Sequence, residues 1–102
     1  MMSKDELKDK LRKAIGGLPH VKAIKSLALF GSYVNGSPGG QSDVDILIDF
    51  VPSAVIGYFE LFDIQSHLES VVGQSVDLVT PQALSKYFRD QVLAQAEVVY
   101  EG

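Results

Sequence analysis

Apolar and polar residues alternate through Asp43–Phe50 (DVDILIDF): Val44, Ile46, Ile48 and Phe50 share one parity, and Asp43, Asp45, Leu47 and Asp49 the other. A period of two describes a half-buried strand whose carboxylate-bearing face turns to solvent or to a cleft. Ser26–Phe30 (SLALF), bounded by Lys25 and Gly31, reads as a second short strand. Between them, GSYVNGSPGGQS holds four glycines, one proline and three serines, so it is a turn-rich connection. The two strands read as an antiparallel hairpin with a long loop.

Helical spacing governs the flanking segments. Leu7, Leu11 and Ile15, with Ala14 beside them, form one apolar stripe. Ser3 and Glu6 make a capping box at its start, with Met2 and Leu7 placed as a hydrophobic staple. Gly16-Gly17 and Pro19 end that helix. Pro52 breaks the strand, and a second helix spans Gly57–Val72, with Leu61, Ile64, Leu68 and Val71 in register and Phe62 and Val72 widening the face. Gly73 stops it, and Gln74–Val79 is a third strand. Thr80-Pro81 pairs an N-cap with proline at the first helical position, ahead of a short turn over Gln82–Leu84. The last helix covers Ser85–Ala96, with Leu84, Phe88, Val92 and Ala96 in register, and Val98–Tyr100 can close the chain as an edge strand. The order α-β-β-α-β-α predicts an α+β fold, a small mixed sheet with helices packed on one face.

At 102 residues, 46% hydrophobic and 22% charged, residues 1–102 make a single domain with one modest core. A net charge of −4 and a pI near 4.9 argue against direct nucleic-acid binding, which requires a basic patch. The basic residues cluster near the N-terminus, where Lys4, Lys8, Lys10, Arg12 and Lys13 interleave with Asp5, Glu6 and Asp9 as a solvated helix face. Cysteine is absent, which excludes disulfides, thiolate zinc sites and a cysteine nucleophile. No apolar run approaches a membrane span, so a soluble, cytoplasmic protein without membrane contact is expected.

Residues i and i+2 of a strand project from one face, so Asp43 and Asp45 converge. Two parallel carboxylates repel unless something positive lies between them, and a divalent cation is the usual answer. Gly31-Ser32 offers backbone N–H groups and a hydroxyl to phosphate oxygens. Metal and phosphate together point to nucleotide chemistry. Asp77 lies between apolar neighbours in Val76–Val79, where a charge needs a partner or a metal. If the third strand adjoins the second, three carboxylates share one cleft and can hold one or two Mg2+ ions bridging nucleotide phosphates.

Each of these residues also has an ordinary use. Asp43 can serve a turn, Asp45 a solvated strand position, Ser32 a turn cap and Asp77 an edge strand guarded against aggregation. Their conjunction is what singles them out. Asp49 has the right parity but lies about 13 Å further along the strand. His20 and His67 show no ligand spacing and read as structural or surface residues, while Tyr58, Phe59 and Phe62 form a cluster of the kind usually found in a core.

Gly31-Ser32, ten residues, then Asp43-x-Asp45 resembles the nucleotidyltransferase signature of the DNA polymerase β superfamily. The chain most closely resembles the minimal nucleotidyltransferases (MNT), the antitoxin halves of HEPN–MNT toxin–antitoxin pairs. The likeness includes Leu29-Phe30-Gly31-Ser32, Ser42–Ile48, Leu61-Phe62-Asp63, Val76–Pro81 and Val98–Glu101. It implies the nucleotidyltransferase fold and transfer of AMP from Mg-ATP to a tyrosine hydroxyl of a partner HEPN RNase toxin, within a hetero-oligomer. Carried over by position, Gly31, Ser32 and Ser42 would bind the nucleotide. Asp43, Asp45 and Asp77 would be the catalytic metal-binding carboxylates, with Asp77 also activating the acceptor hydroxyl. Two other readings stay open: a non-catalytic antitoxin whose acidic surface occludes the toxin, and a nucleotidyltransferase acting on a small-molecule alcohol.

Overall fold

The computed structural model describes residues 3–31, 34 and 44–102. Its first helix, α1 (Lys4–Ala14), starts where expected, with the Ser3 hydroxyl accepting from the Glu6 amide at 3.2 Å. A 3-10 turn over Ile15–Gly17 follows. The remaining elements are β1 (Ile24–Phe30), β2 (Val44–Phe50), α2 (Tyr58–Val72), β3 (Val76–Val79), α3 (Lys86–Gln95) and β4 (Glu97–Glu101). A 3-10 turn at Pro81–Ala83 separates β3 from α3. Among the described residues, no helix is long and apolar enough to cross a membrane.

The four strands lie in the order β3-β2-β1-β4. β1 is antiparallel to both β2 and β4, whereas β2 and β3 are parallel and joined through α2. The mixed α+β sheet therefore matches the one expected. Leu27, Leu29, Val44, Ile46, Ile48, Val76 and Val99 turn to one face, where Leu7 and Leu11 of α1 and Ile64 and Leu68 of α2 close the core. His67 Nε2 contacts the Ala14 carbonyl oxygen at 3.0 Å, across the seam between α1 and α2, and His20 Nε2 contacts Asp63 at 3.2 Å, joining the connector before β1 to α2.

Three features depart from the reading of the pattern. β1 begins at Ile24 because a bulge between Ile24 and Ser26 lets Lys25 point outward while Ile24 stays buried, which breaks the alternation. Tyr58, Phe59 and Phe62 are 91%, 86% and 64% exposed, because the stripe that α2 buries runs through Ile64, Leu68 and Val72 instead. The apolar register of α3 exists, yet no residue of that helix is buried.

The N-terminal helix is clamped to the last strand by charge. Lys4 and Lys8 each donate to the Glu97 carboxylate at 2.9 Å. These hydrogen bonds, Lys4 first and then Lys8, hold the Glu97 carboxyl below its ordinary range, and Glu97 in turn raises Lys4. A depressed carboxyl contributes stability that is present above the ordinary carboxylate pKa and is lost as pH falls through its folded-state value. Glu97→Gln should therefore lower Tm at pH 7, and the gap from the unsubstituted protein should close on acidification below the ordinary carboxylate range. Thermal unfolding by circular dichroism across pH reads this directly, and a gap that widens in acid would contradict the clamp.

Candidate functional site

One end of the sheet collects the candidate residues. β1 finishes there, and β2, β3 and β4 all begin there. Val44 pairs with Val76 and Asp45 with Asp77 in the parallel ladder. Both valines are buried in the core. Strand alternation then sends Asp45 and Asp77 together to the opposite face, on strands about 4.8 Å apart. Asp45 is half-buried and Asp77 exposed.

Two hydrogen bonds set this register. The Val44 amide donates to the Ser75 carbonyl at 2.9 Å, and the Val76 amide donates to Glu69 Oε2 at 2.9 Å. Glu69 reaches from the end of α2 to the start of an outer strand, so it positions Asp77 without belonging to the site. The pattern gave no hint of it, because a glutamate in a helix's last turns reads as solvated surface.

Gly31 is the third member. Directly after β1 the backbone turns left-handed there, with φ +77°, and the Val34 amide donates to the Gly31 carbonyl at 3.1 Å. A Cβ at Gly31 would overlap Asp45 Oδ2 and lie 2.9 Å from Asp45 Cγ. Phe30, its neighbour, is the cross-strand partner of Asp45. Glycine is thus required twice, by the backbone conformation and by the carboxylate packed against it. The turn and the carboxylate form one unit.

Ser32, Ser42 and Asp43 lie outside the described residues. Asp49 stands level with Ser26, well along β2 from Asp45, and both histidines are engaged against α2 or from it, His20 with Asp63 and His67 with the Ala14 carbonyl. Among the described residues no group of three or more His, Cys, Asp or Glu side chains is gathered around one point. The donors that are paired, two aligned carboxylates, offer hard oxygen ligands of the type that Mg2+ takes. Beside Gly31 opens a cavity of about 360 Å3, lined by Phe30, Gly31 and the α3 residues Phe88, Gln91, Val92 and Gln95. Those four recur at helical spacing in the sequence, which is the signal that could have located this wall.

A family model described as polymerase beta, nucleotidyltransferase matches residues 12–102. The protein adenylyltransferase MntA of Thermococcus cleftensis is 38% identical over 79 residues, 76% of this chain and 74% of that protein. A solved structure of a chain provisionally described as a minimal nucleotidyltransferase superposes with a TM-score of 0.74 at 27% identity, covering 93% of this chain and 94% of the other. A Shewanella oneidensis complex of tri-AMPylated HEPN toxin with MNT antitoxin shares the fold, with a TM-score of 0.64 at 21% identity over 97% of this chain and 73% of that one.

Gly73 supplies an internal control for Gly31: its φ is +79°, but a Cβ there would meet nothing within 4 Å. Gly73→Ala should cost only left-handed strain, about 1–2 kcal/mol. Gly31→Ala adds displacement of the Asp45 carboxylate and should lower stability further in chemical denaturation. Equal losses for the two variants would show that Gly31 is needed for its backbone conformation alone.

Proposed function

The chain belongs to the polymerase β nucleotidyltransferase family, and from that premise we propose that it is an antitoxin enzyme, one that transfers AMP from ATP to a tyrosine hydroxyl of a partner HEPN RNase toxin. The observation that carries this reading is the alignment of Asp45 with Asp77 against the Gly31 turn. The acceptor is suggested by the complex and the adenylyltransferase described above. Exposed Tyr58, Phe59 and Phe62 add aromatic surface of the kind that protein partners cover.

Within this reading the chain's groups divide the work. The Gly31 turn lets backbone N–H groups approach the triphosphate, and the Ser32 and Ser42 hydroxyls donate to its oxygens. Asp43, Asp45 and Asp77 would hold the metal. Bound Mg2+ would neutralise and orient the phosphate oxygens for in-line displacement. Asp77, on the more open strand, faces the acceptor and takes the proton from its hydroxyl. The acceptor oxygen then bonds to the α-phosphorus as the bond to the bridging oxygen breaks, and pyrophosphate leaves. A cytoplasmic setting supplies the ATP.

Labelled ATP, Mg2+ and a HEPN RNase toxin from the same source should give a labelled toxin. Asp45→Asn and Asp77→Asn should each reduce transfer at least about a hundredfold, the scale seen when a preorganised electrostatic group is lost. Undiminished transfer in both variants would remove the carboxylates from the chemistry. Neutralisation that survives Asp45→Asn in cells at equal expression would replace catalysis with occlusion. Label on a small alcohol in place of the protein would move the acceptor to a small molecule.

A further inference from the structure

The cavity beside Gly31 has a composition that the transfer chemistry does not use. Among the described residues its lining is Phe30, Gly31, Phe88, Gln91, Val92 and Gln95, and none of these side chains carries a charge. Phosphate and cations are poorly served by such walls. Its volume of about 360 Å3 lies in the range of small-molecule sites. Two aromatic rings offer stacking surface to a flat heterocycle. The two carboxamides, four residues apart on one helical face, each present a donor and an acceptor.

Its position decides what such a ligand would be. Gly31 forms the cavity wall and is also the residue packed against the Asp45 carboxylate. A ligand whose phosphates engage that turn therefore has its uncharged end within reach of α3. We propose that this cavity is the nucleobase site: a purine rests against Phe30 and Phe88, and Gln91 and Gln95 read its edge. Glutamine matches the paired donor and acceptor of adenine, whereas the acceptor edge of guanine calls for arginine or lysine. The cavity accordingly selects ATP over GTP. This inference rests on the nucleotidyltransferase reading for its phosphate-bearing ligand.

The placement of α3 over the cavity has a cause in the fold. No residue of α3 is buried, so packing alone does not seat it. Arg89 does, donating from Nε to the Pro81 carbonyl at 2.9 Å and from its guanidinium NH2 to the Leu84 carbonyl at 3.1 Å. Those bonds tie the helix to the turn that leaves β3, the strand of Asp77. Arg89 is thus a positioning residue for the cavity wall. Phe88 is 61% exposed, which explains why substitution there should leave folding intact.

Equilibrium binding of ATP, GTP and inorganic tripolyphosphate to the full chain with Mg2+ tests the site without requiring transfer. The unsubstituted protein should bind ATP more tightly than GTP and tripolyphosphate. Phe88→Ala should weaken ATP about tenfold, from the typical cost of losing one base–aromatic stack, and leave tripolyphosphate unchanged. Phe88→Tyr should restore ATP binding, and Gln91→Ala with Gln95→Ala should shrink the preference for ATP over GTP. Equal affinity for ATP and tripolyphosphate in the unsubstituted protein would overturn the site. So would ATP binding insensitive to Phe88→Ala, including the case where that variant loses only its protein partner and α3 proves to be a docking face. The two proposals fail separately: Phe88-dependent ATP binding without labelling of the HEPN protein overturns the acceptor and keeps the base site.

Discussion

Burial of Val44, Ile46 and Ile48 on one face of β2 is the constraint on which the site depends. With those three turned to the core, strand alternation leaves Asp45 nowhere to point but the opposite face. β1 on one side and β3 on the other are both paired to β2, so its register governs theirs. A slip of one residue would bury the carboxylate and expose the valine. The hydrophobic effect thus enforces the placement of a charged group that it does not itself stabilise, and Val76 in β3 does the same for Asp77.

Around this axis the fold assigns its two faces to different tasks. The face under α1 and α2 carries the apolar core, closed at its ends by the two histidines and by the Lys4–Glu97–Lys8 clamp. The opposite face carries the aligned carboxylates and the cavity beside α3. A helix without a single buried residue adds little to that core. The apolar core lies on one side of the sheet, and the paired carboxylates lie on the other.

Much of this was legible in the chain. A repeat every two residues located β2 and repeats every three to four located α1, α2 and α3, while short runs between boundary residues located the other strands described, and the Ser3–Glu6 cap formed as read. The Gly31–Asp45–Asp77 grouping was also visible, because Gly-Ser and Asp-x-Asp lie close in sequence and Asp77 interrupts an apolar strand. The bulge at Lys25 was hidden, since an inserted residue destroys the alternation by which a strand is recognised. The exposure of Tyr58, Phe59 and Phe62 was hidden for a different reason. An aromatic residue is recognised by its apolarity, while its burial depends on how far the helix is rotated against the sheet.

The sequence by itself determined where the elements lie, which parity of β2 and which stripe of α1 face the core, and which chemical groups were available, because these follow from local periodicity and composition. Only the tertiary structure decided that β3 lies parallel to β2 in the register that sets Asp77 level with Asp45. Only it brought Glu69 to the Val76 amide and Arg89 to the carbonyls of Pro81 and Leu84. Those choices hang on hydrogen bonds between separate elements and on how helices settle across a sheet. No local pattern encodes such contacts, since each partner reads as ordinary surface until the chain has closed around the core.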